Sequence, residues 1–255
     1  MTSSLANFAR LHDPDRFLAA LFAPQARREA FFTLIAFNHE LARAREVASL
    51  PMLAMIRLQW WREVVQGAQR HHEVATPLFQ AIQAGHFDRS DLLGMIDARE
   101  QEAEDTMPDL ETWNRYVEGT AGGFAAAAGR MLGGSDELPR LRSLGAAYGI
   151  AGQIANVAAL ARRERCLLPV DLLEAYNLTP YHVMQNPERA APVMAELAKQ
   201  GLDRIAASGG RLPRALISAA LPAVLARRDL MTQTRTRRSA AKFAVLAAAL
   251  TSRIS

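Results

Sequence analysis

The chain has 255 residues, half of them hydrophobic, so it can bury a sizeable core. Its formal net charge is +4, and almost all of the positive charge is arginine. No apolar stretch approaches the roughly 20 residues of a membrane-spanning helix, and the single cysteine, Cys166, excludes an internal disulfide framework. These features argue against an integral membrane protein. The basic residues are spread along the chain apart from a run at 227–238, so we expect no nucleic-acid partner.

Helix-favouring residues predominate and no segment alternates with period two, which predicts an all-α fold of about ten helices. Capping residues and prolines indicate helix starts at Asp13-Pro14, Pro24, Pro51, Thr76-Pro77, Ser90-Asp91 and Leu110-Glu111. After a turn at Gly133-Gly134-Ser135, helical blocks are predicted at about 138–163, 170–176, 180–185, 189–207, 213–227 and 229–250. We expect a single domain over residues 1–255, with 1–12 as a flexible segment.

The helix that begins at Pro51 has an apolar stripe in its sequence. Met52, Met55 and Ile56 fall in register with Gln59 or Trp60, and with Glu63 or Val64, at helical spacing, so we expect them to share one face. The adjacent Trp60 and Trp61 point about 100° apart on a helix, so one is expected in the core and the other at a cavity or partner surface.

Three motifs follow one another in a characteristic order. The first is AFNHELARARE at 36–46, followed by IRLQWWRE at 56–63. The second is YVEGTAGG at 116–123, and the third is GIAGQIAN at 149–156, which leads to LLP at 167–169. In order and spacing, the chain resembles the squalene/phytoene synthase family over about residues 15–230. The resemblance implies a single-domain helical bundle of the isoprenoid-synthase type.

The resemblance also implies a metal site, because members of this family join prenyl diphosphates with Mg²⁺ held by two aspartate-rich motifs on facing helices. In the first motif those aspartates would fall at Ala42, Arg43 and Glu46, of which only Glu46 is acidic. Arg43 and Arg45 are expected to bring positive charge to the position of the metal. The first aspartate motif is therefore missing.

The second aspartate motif is missing as well. The stretch 149–169 has Glu164 as its only acid, and Asn156 and Leu160 stand near the expected position of a metal ligand. We therefore predict no catalytic residue, no metal ligand and no cofactor, with Mg²⁺ required only if the chain is an enzyme. Asp97, Glu100 and Glu104 lie at helical spacing and are either replacement ligands or a solvated helix face.

These departures are similar to the branch of the family that contains the mitochondrial respiratory complex I assembly factor. The similarity implies a non-catalytic protein that assists assembly of complex I (NADH dehydrogenase), with its subunits or other assembly factors as partners. Two alternatives stay open. One is a divergent prenyl-diphosphate transferase of isoprenoid biosynthesis, and the other is a module that binds an isoprenoid or quinone lipid at a membrane surface.

Polar and aromatic residues of the three motifs are the candidates for lining a ligand or partner cavity. They are Asn38, Arg57, Trp60, Tyr116, Gln153 and Asn156. Arg57 and Arg62 flank the two tryptophans and either hold an anionic group or form ordinary salt bridges, for example to Glu63.

The C-terminal block from Arg227 to Ile254 joins a basic segment to the apolar run at 243–246. Such a helix either docks on the bundle, which we favour, or lies on an anionic membrane surface. The expected location is the bacterial cytoplasm with peripheral contact to the inner membrane, or the matrix side of a mitochondrial membrane if a leader has been removed.

Overall fold

The computed structural model describes residues 3–48, 50–233 and 239–254, and most of these residues are helical. The helices of the first half are α1 (Ser4–His12), α2 (Pro14–Ala20), α3 (Gln25–Glu46), α4 (Pro51–Gln66), α5 (Ala75–Gln83), α6 (Arg89–Glu100), α7 (Leu110–Val117) and α8 (Gly123–Met131). A π-helical turn at Glu118–Gly122 joins α7 to α8.

The second half begins with the longest helix. Its helices are α9 (Leu138–Ala161), α10 (Val170–Ala175), α11 (Pro180–Gln185), α12 (Ala191–Ser208), α13 (Ile217–Ala220), α14 (Pro222–Thr232) and α15 (Ser239–Thr251). Short 3₁₀ turns lie at Pro187–Ala190 and Arg214–Leu216. Two small sheets complete the described chain: β1 (Thr106–Met107) pairs in parallel with β2 (Cys166–Pro169), and β3 (Gly210–Arg211) pairs antiparallel with β4 (Arg253–Ile254). The all-α prediction is confirmed.

The helix starts follow the capping signals in the sequence. The Asp13 carboxylate accepts the Arg16 N–H at 3.0 Å and Pro14 occupies the first position of α2, while Pro51 opens α4. The expected break near residue 228 is wrong, because α14 continues to Thr232. Short helical pieces at 214–220 also make the segments more numerous than the ten expected.

The N-terminal residues expected to be flexible form α1 from Ser4 onward. Leu5, Ala6 and Ala9 of α1 are buried, and this helix packs against α2 and α3. Its apolar face therefore belongs to the same hydrophobic cluster as the rest of the core, which extends to Ile254.

The core is organised around α9, which packs against α8, α12 and α14. By length and composition α9 is also the described helix that could cross a membrane, with a mean hydropathy of 1.3 over its most apolar window. The expectation that no apolar stretch approaches the length of a membrane-spanning helix is therefore wrong. In the fold, 56% of that window is buried against the other helices.

Small residues bring α9 close to the π-helical turn. A Cβ atom on Gly145 would meet the Ala121 carbonyl oxygen at 2.5 Å, and one on Gly122 would meet the Arg142 carbonyl oxygen at 2.7 Å. Since real Cβ atoms do not approach so closely, glycine is required at both positions for this crossing. The glycine-rich segment of the second motif thus serves close helix packing.

The apolar residues expected to share one face of α4 do share one, and that face is largely exposed. The buried face of α4 carries Ala54, Leu58 and Trp61, whereas Met52 and Ile56 are 72% and 59% exposed. Tertiary packing places the small Ala54 against the core, and a pattern of hydrophobic residues does not reveal which of two apolar faces faces inward.

The C-terminal block agrees with docking on the bundle. Ala241, Val245 and Ala248 of α15 are buried, and the helix packs on α14. Arg235, Arg237 and Arg238 of the predicted basic run lie outside the described residues.

Candidate functional site

A central cavity of about 290 Å³ lies between the start of α2, the middle of α3, the end of α6, α7 with the π-helical turn, and α9. Four of the six candidate residues line it: Asn38 on α3, Tyr116 on α7, and Gln153 and Asn156 on α9. The fold therefore brings residues from all three sequence motifs to one place.

Tyr116 stands at the centre of a buried hydrogen-bond network. Arg99 Nη1 and Gln153 Nε2 approach its hydroxyl oxygen at 3.3 Å and 3.1 Å. Burial, more than any other influence, raises the pKa of Tyr116 well above its ordinary value, so the phenol stays neutral in the physiological range. Tyr116 is thus placed as a neutral polar group that holds Gln153 against the cavity wall.

The same network contains an ion pair that the sequence analysis did not identify. Arg99 Nη1 donates to Glu102 Oε2 at 2.7 Å, and both side chains are largely buried beside the cavity. Glu102 lies just beyond the end of α6. The helical spacing of Asp97 and Glu100 therefore does not predict where the Glu102 side chain points. The sequence signal that could have revealed this ion pair is the i,i+3 spacing of Arg99 and Glu102.

The other end of the cavity carries two histidines and a second ion pair. The rings of His12 and His39 lie 4.3 Å apart between centroids, and Arg16 Nη1 pairs with Asp13 Oδ2 at 3.0 Å. Burial, followed by the charges of His12 and Arg43, lowers the pKa of His39 to about 4. His39 is therefore neutral near pH 7 and adds no positive charge.

Asn38 carries an unsatisfied acceptor. Among the described residues, its Oδ1 atom is buried and has no hydrogen-bond partner, and the side chain lines the cavity. A buried acceptor without a donor costs about 1–3 kcal/mol, so this position favours a polar occupant that offers a hydrogen bond.

Three of the five positions that the resemblance relates to metal ligands line this cavity. Ala42 and Glu46 line it from α3, and Asn156 lines it from α9, whereas Leu160 borders a separate small pocket. Neither of the two arginines expected to bring positive charge lines the cavity, and Arg43 pairs with Glu40 at 3.5 Å. Arg45 binds the Ala48 and Ala103 carbonyls and the Asp105 carboxylate, all away from the cavity.

The donor set does not fit a magnesium–diphosphate centre. The carboxylates that line the cavity are Asp13, Glu46 and Glu102, and two of these are engaged by Arg16 and Arg99. Within the described ranges, no group of three or more His, Cys, Asp or Glu side chains is arranged to hold a metal ion. Mg²⁺ takes oxygen ligands, chiefly carboxylates and phosphates, and Glu46 is the one lining acid that is not held by an arginine there.

The remaining two candidates lie elsewhere. Arg57 and Trp60 line a second pocket of about 390 Å³ between α3 and α4, together with Trp61, His72 and Arg43. Trp61 is buried and Trp60 is half-buried, in agreement with the expected division of roles. The pocket is separate from the central cavity, so the six candidates form two sites rather than one.

Arginines beside the two tryptophans differ in their pairing. Arg62 binds Asp97 at 2.7 Å and Glu100 at 2.6 Å, which places these two acids in a salt-bridge network between α4 and α6. Neither acid lines the cavity, so the structure favours the solvated-face interpretation over a ligand role. Glu63 pairs with Arg70 rather than with Arg57.

Comparison with known proteins places these observations in a family. The family model of squalene/phytoene synthase matches residues 9–251. The chain is 27% identical over 177 residues to a Bos taurus protein named NADH dehydrogenase (ubiquinone) complex I, assembly factor 6, and 26% identical to the Homo sapiens protein of that name. Each match covers 67% of this chain and 53% of the relative. The chain thus spans about half the length of these curated relatives.

Two solved structures share the fold. One is the squalene synthase HpnC from Alicyclobacillus acidocaldarius, with a TM-score of 0.64 and 17% identity, over 96% of this chain and 91% of that chain. The other is a dehydrosqualene synthase in complex with a ligand, with a TM-score of 0.74 and 12% identity, over 96% and 94%. The isoprenoid-synthase type of bundle is confirmed.

Proposed function

We propose a function for this chain on the premise that it belongs to the squalene/phytoene synthase family, whose model it matches over residues 9–251. The chain assists the assembly of respiratory complex I and does not catalyse prenyl transfer. It acts through protein contacts, with complex I subunits or other assembly factors as partners, at the cytoplasmic face of the bacterial inner membrane or the matrix face of its mitochondrial counterpart.

The observation that carries this proposal is the altered wall of the central cavity. Ala42 and Asn156 face the cavity at positions where the family would place metal-binding carboxylates. Asp13 and Glu102 are paired with arginines, so among the described residues that line the cavity Glu46 is the one carboxylate left to attract a cation. Ionisation of a diphosphate requires charge neutralisation at its oxygens, and one carboxylate is a poor substitute for two aspartate-rich motifs.

The names of the relatives support the same direction. Curated proteins from Bos taurus and Homo sapiens that match this chain are named as assembly factors of complex I. The chain covers about half their length, so the partners and the step of assembly are part of the proposal.

The decisive experiment combines gene deletion with complementation. Deletion of the gene is expected to reduce complex I abundance on native gels and NADH oxidation by isolated membranes, and the wild-type gene should restore both. Unchanged complex I after deletion would contradict the proposal.

A single charge substitution separates the assembly role from the enzymatic alternative. Glu46→Gln removes the lining carboxylate on which a residual metal site would depend, and it should restore complex I as well as wild type. Glu104→Gln is the matched control on an exposed acid. Purified protein incubated with Mg²⁺ and farnesyl or geranylgeranyl diphosphate should give no product. Turnover that is lost on chelation and in the Glu46→Gln variant would establish the prenyltransferase instead.

A further inference from the structure

The C-terminal helix α15 has apolar side chains on two opposite faces. Its inner face, with Ala241, Val245 and Ala248, is buried on the bundle. On the outer face Phe243 and Leu250 are each 69% exposed, and Leu246 between them is 42% exposed. These residues follow the i, i+3, i+7 spacing of a helix face. Thirteen residues are too few to span a bilayer, so the exposed face suits contact with a surface.

The positive charge of the sequence is concentrated in its last fifth, which includes this helix. Residues 205–255 contain nine arginine and lysine residues and one acid, Asp229, which is buried. The rest of the chain consequently has an excess of acidic residues, although the whole carries +4. The net charge of the whole chain does not reveal this asymmetry. The C-terminal segment of the sequence is strongly basic.

The sheet next to α15 places two arginines directly opposite each other. Arg211 of β3 is the ladder partner of Arg253 of β4, and both side chains are exposed. Like charges in directly opposite positions destabilise a strand pair. Within the described residues neither guanidinium forms an ion pair, so an anion bound between or above them would relieve this repulsion.

We propose that the outer face of α15, together with Arg211 and Arg253, is a docking surface for an anionic lipid bilayer. The helix lies in the plane of the interface, with Phe243, Leu246 and Leu250 inserted among the acyl chains near the headgroups. Arg211 and Arg253 at its C-terminal end and Lys242 near its start bind lipid phosphates. This surface would account for the membrane location proposed above, and it does not depend on whether the chain assists the assembly of complex I.

Charge complementarity favours a bilayer over a protein partner. The exposed basic residues are distributed around the helix on several elements, namely Arg227 and Arg228 of α14, Arg211, Lys242 and Arg253. An extended anionic plane can satisfy charges that are spread over several elements, and each such charge strengthens binding to the surface. The acidic remainder of the chain would be repelled by the same surface, which orients the protein with α15 toward it.

Vesicle flotation of the full chain tests this surface. The protein is expected to float with vesicles of phosphatidylcholine mixed with phosphatidylglycerol, and to stay unbound with phosphatidylcholine alone. The Phe243→Ser/Leu250→Ser variant should reduce partitioning about tenfold or more, since it removes two inserting side chains. Arg211→Gln/Arg253→Gln should reduce it about tenfold at low salt, with a smaller difference at high salt because exposed charges are screened.

Matched variants distinguish binding at this site from non-specific adsorption to vesicles. Met52→Ser/Ile56→Ser removes equally exposed apolar groups from α4, and Arg162→Gln/Arg163→Gln removes two exposed charges elsewhere; both should bind like wild type. All eight residues substituted in the four double variants are exposed, and circular dichroism melting checks that each variant is folded. Absence of binding to anionic vesicles, equal binding to neutral ones, or equal losses in the controls would overturn the proposal. A dimer that is broken only by Phe243→Ser/Leu250→Ser, without vesicle binding, would overturn it too.

Discussion

The central cavity and the pocket between α3 and α4 share one helix but differ in how their charges are satisfied. In the central cavity, Arg16 and Arg99 are held by Asp13 and Glu102 at 3.0 Å and 2.7 Å. In the second pocket, Arg57 is exposed beside Trp60 and forms no ion pair within the described residues, and the lining acid Glu40 is paired with Arg43 at 3.5 Å. The two arginines of the cavity are thus neutralised by its own acids, whereas the pocket keeps the charge of Arg57 available.

This difference separates a stabilising role from a recognition role. Removal of one member of a buried ion pair strongly destabilises the fold, because the remaining charge then has neither water nor a partner around it. Exposed charges contribute little to folding and are available to a binding partner. Substitutions should therefore affect stability most in the cavity and least at the pocket rim.

The largest effect is expected for Arg99→Met. It leaves the Glu102 carboxylate without its partner in a largely buried position, and should lower the free energy of unfolding by about 3–5 kcal/mol. Urea denaturation measures this loss. Lys199→Met, which breaks the exposed Lys199–Asp203 pair, is the matched control and should leave stability close to that of the wild type. Similar losses in the two variants would remove the distinction between the cavity and the surface.

Next in size is the contrast between the two tryptophans of the pocket. Trp61 is buried against Phe37, with ring centroids 5.6 Å apart, so Trp61→Ala should lower the free energy of unfolding by about 3 kcal/mol. Trp60→Ala at the half-buried neighbour should cost about 1 kcal/mol. Thermal melting and urea titration give both values. A larger loss for Trp60 would mean that the pocket wall, rather than the core behind it, stabilises α4.

A smaller effect concerns pH and involves His39 in the cavity. Its pKa is lowered from 6.5 to about 4, so between these values the unfolded chain binds a proton that the folded chain does not. Stability should fall as the pH falls through this window, by about 1–2 kcal/mol once solvent screening of the half-buried ring is allowed for.

Replacement of this histidine isolates its contribution. His39→Gln should flatten the pH dependence of urea unfolding between pH 6.5 and about 4, relative to wild type. His71→Gln, at an exposed histidine, should leave the wild-type dependence unchanged. If the two variants behave alike, the cavity does not hold His39 in its neutral form.

The smallest effect is predicted for Arg57→Gln at the pocket rim. With the side chain exposed and no ion pair to lose among the described residues, the free energy of unfolding should change by less than about 0.5 kcal/mol. Its effect should appear in complementation, where loss of complex I with unchanged melting would assign the residue to partner contact. A clear loss of stability would instead make the pocket rim part of the structural framework.

Much of the fold could be predicted because capping signals are local. Asp13-Pro14 and Pro51 start helices through their own backbone and side-chain preferences, without help from distant residues. The buried face of α4 could not be predicted in this way. Met52 and Ile56 compete with Ala54 and Leu58 for the inner face, and the packing of α3 and α6 against α4 decides between them.

The candidate site was predictable to a similar extent. Asn38, Tyr116, Gln153 and Asn156 were found because they stand in sequence motifs, and helix packing brings those motifs together. Arg99 and Glu102 were missed, because the direction of Glu102 depends on where α6 ends. A termination point of that kind is set by the following loop and its contacts rather than by helical spacing.

The close crossing at Gly145 and Gly122 has a consequence for redesign. These glycines set the separation between the π-helical turn and α9, and hence the width of the cavity that Thr120 and Gly149 line from its two sides. Shape and charge are therefore specified by different positions. Carboxylates could be installed at Ala42 and Asn156 without altering the scaffold, whereas a single methyl group at Gly145 would force the walls apart. The polar groups that line the cavity can therefore be changed by substitution while the shape of the cavity is kept.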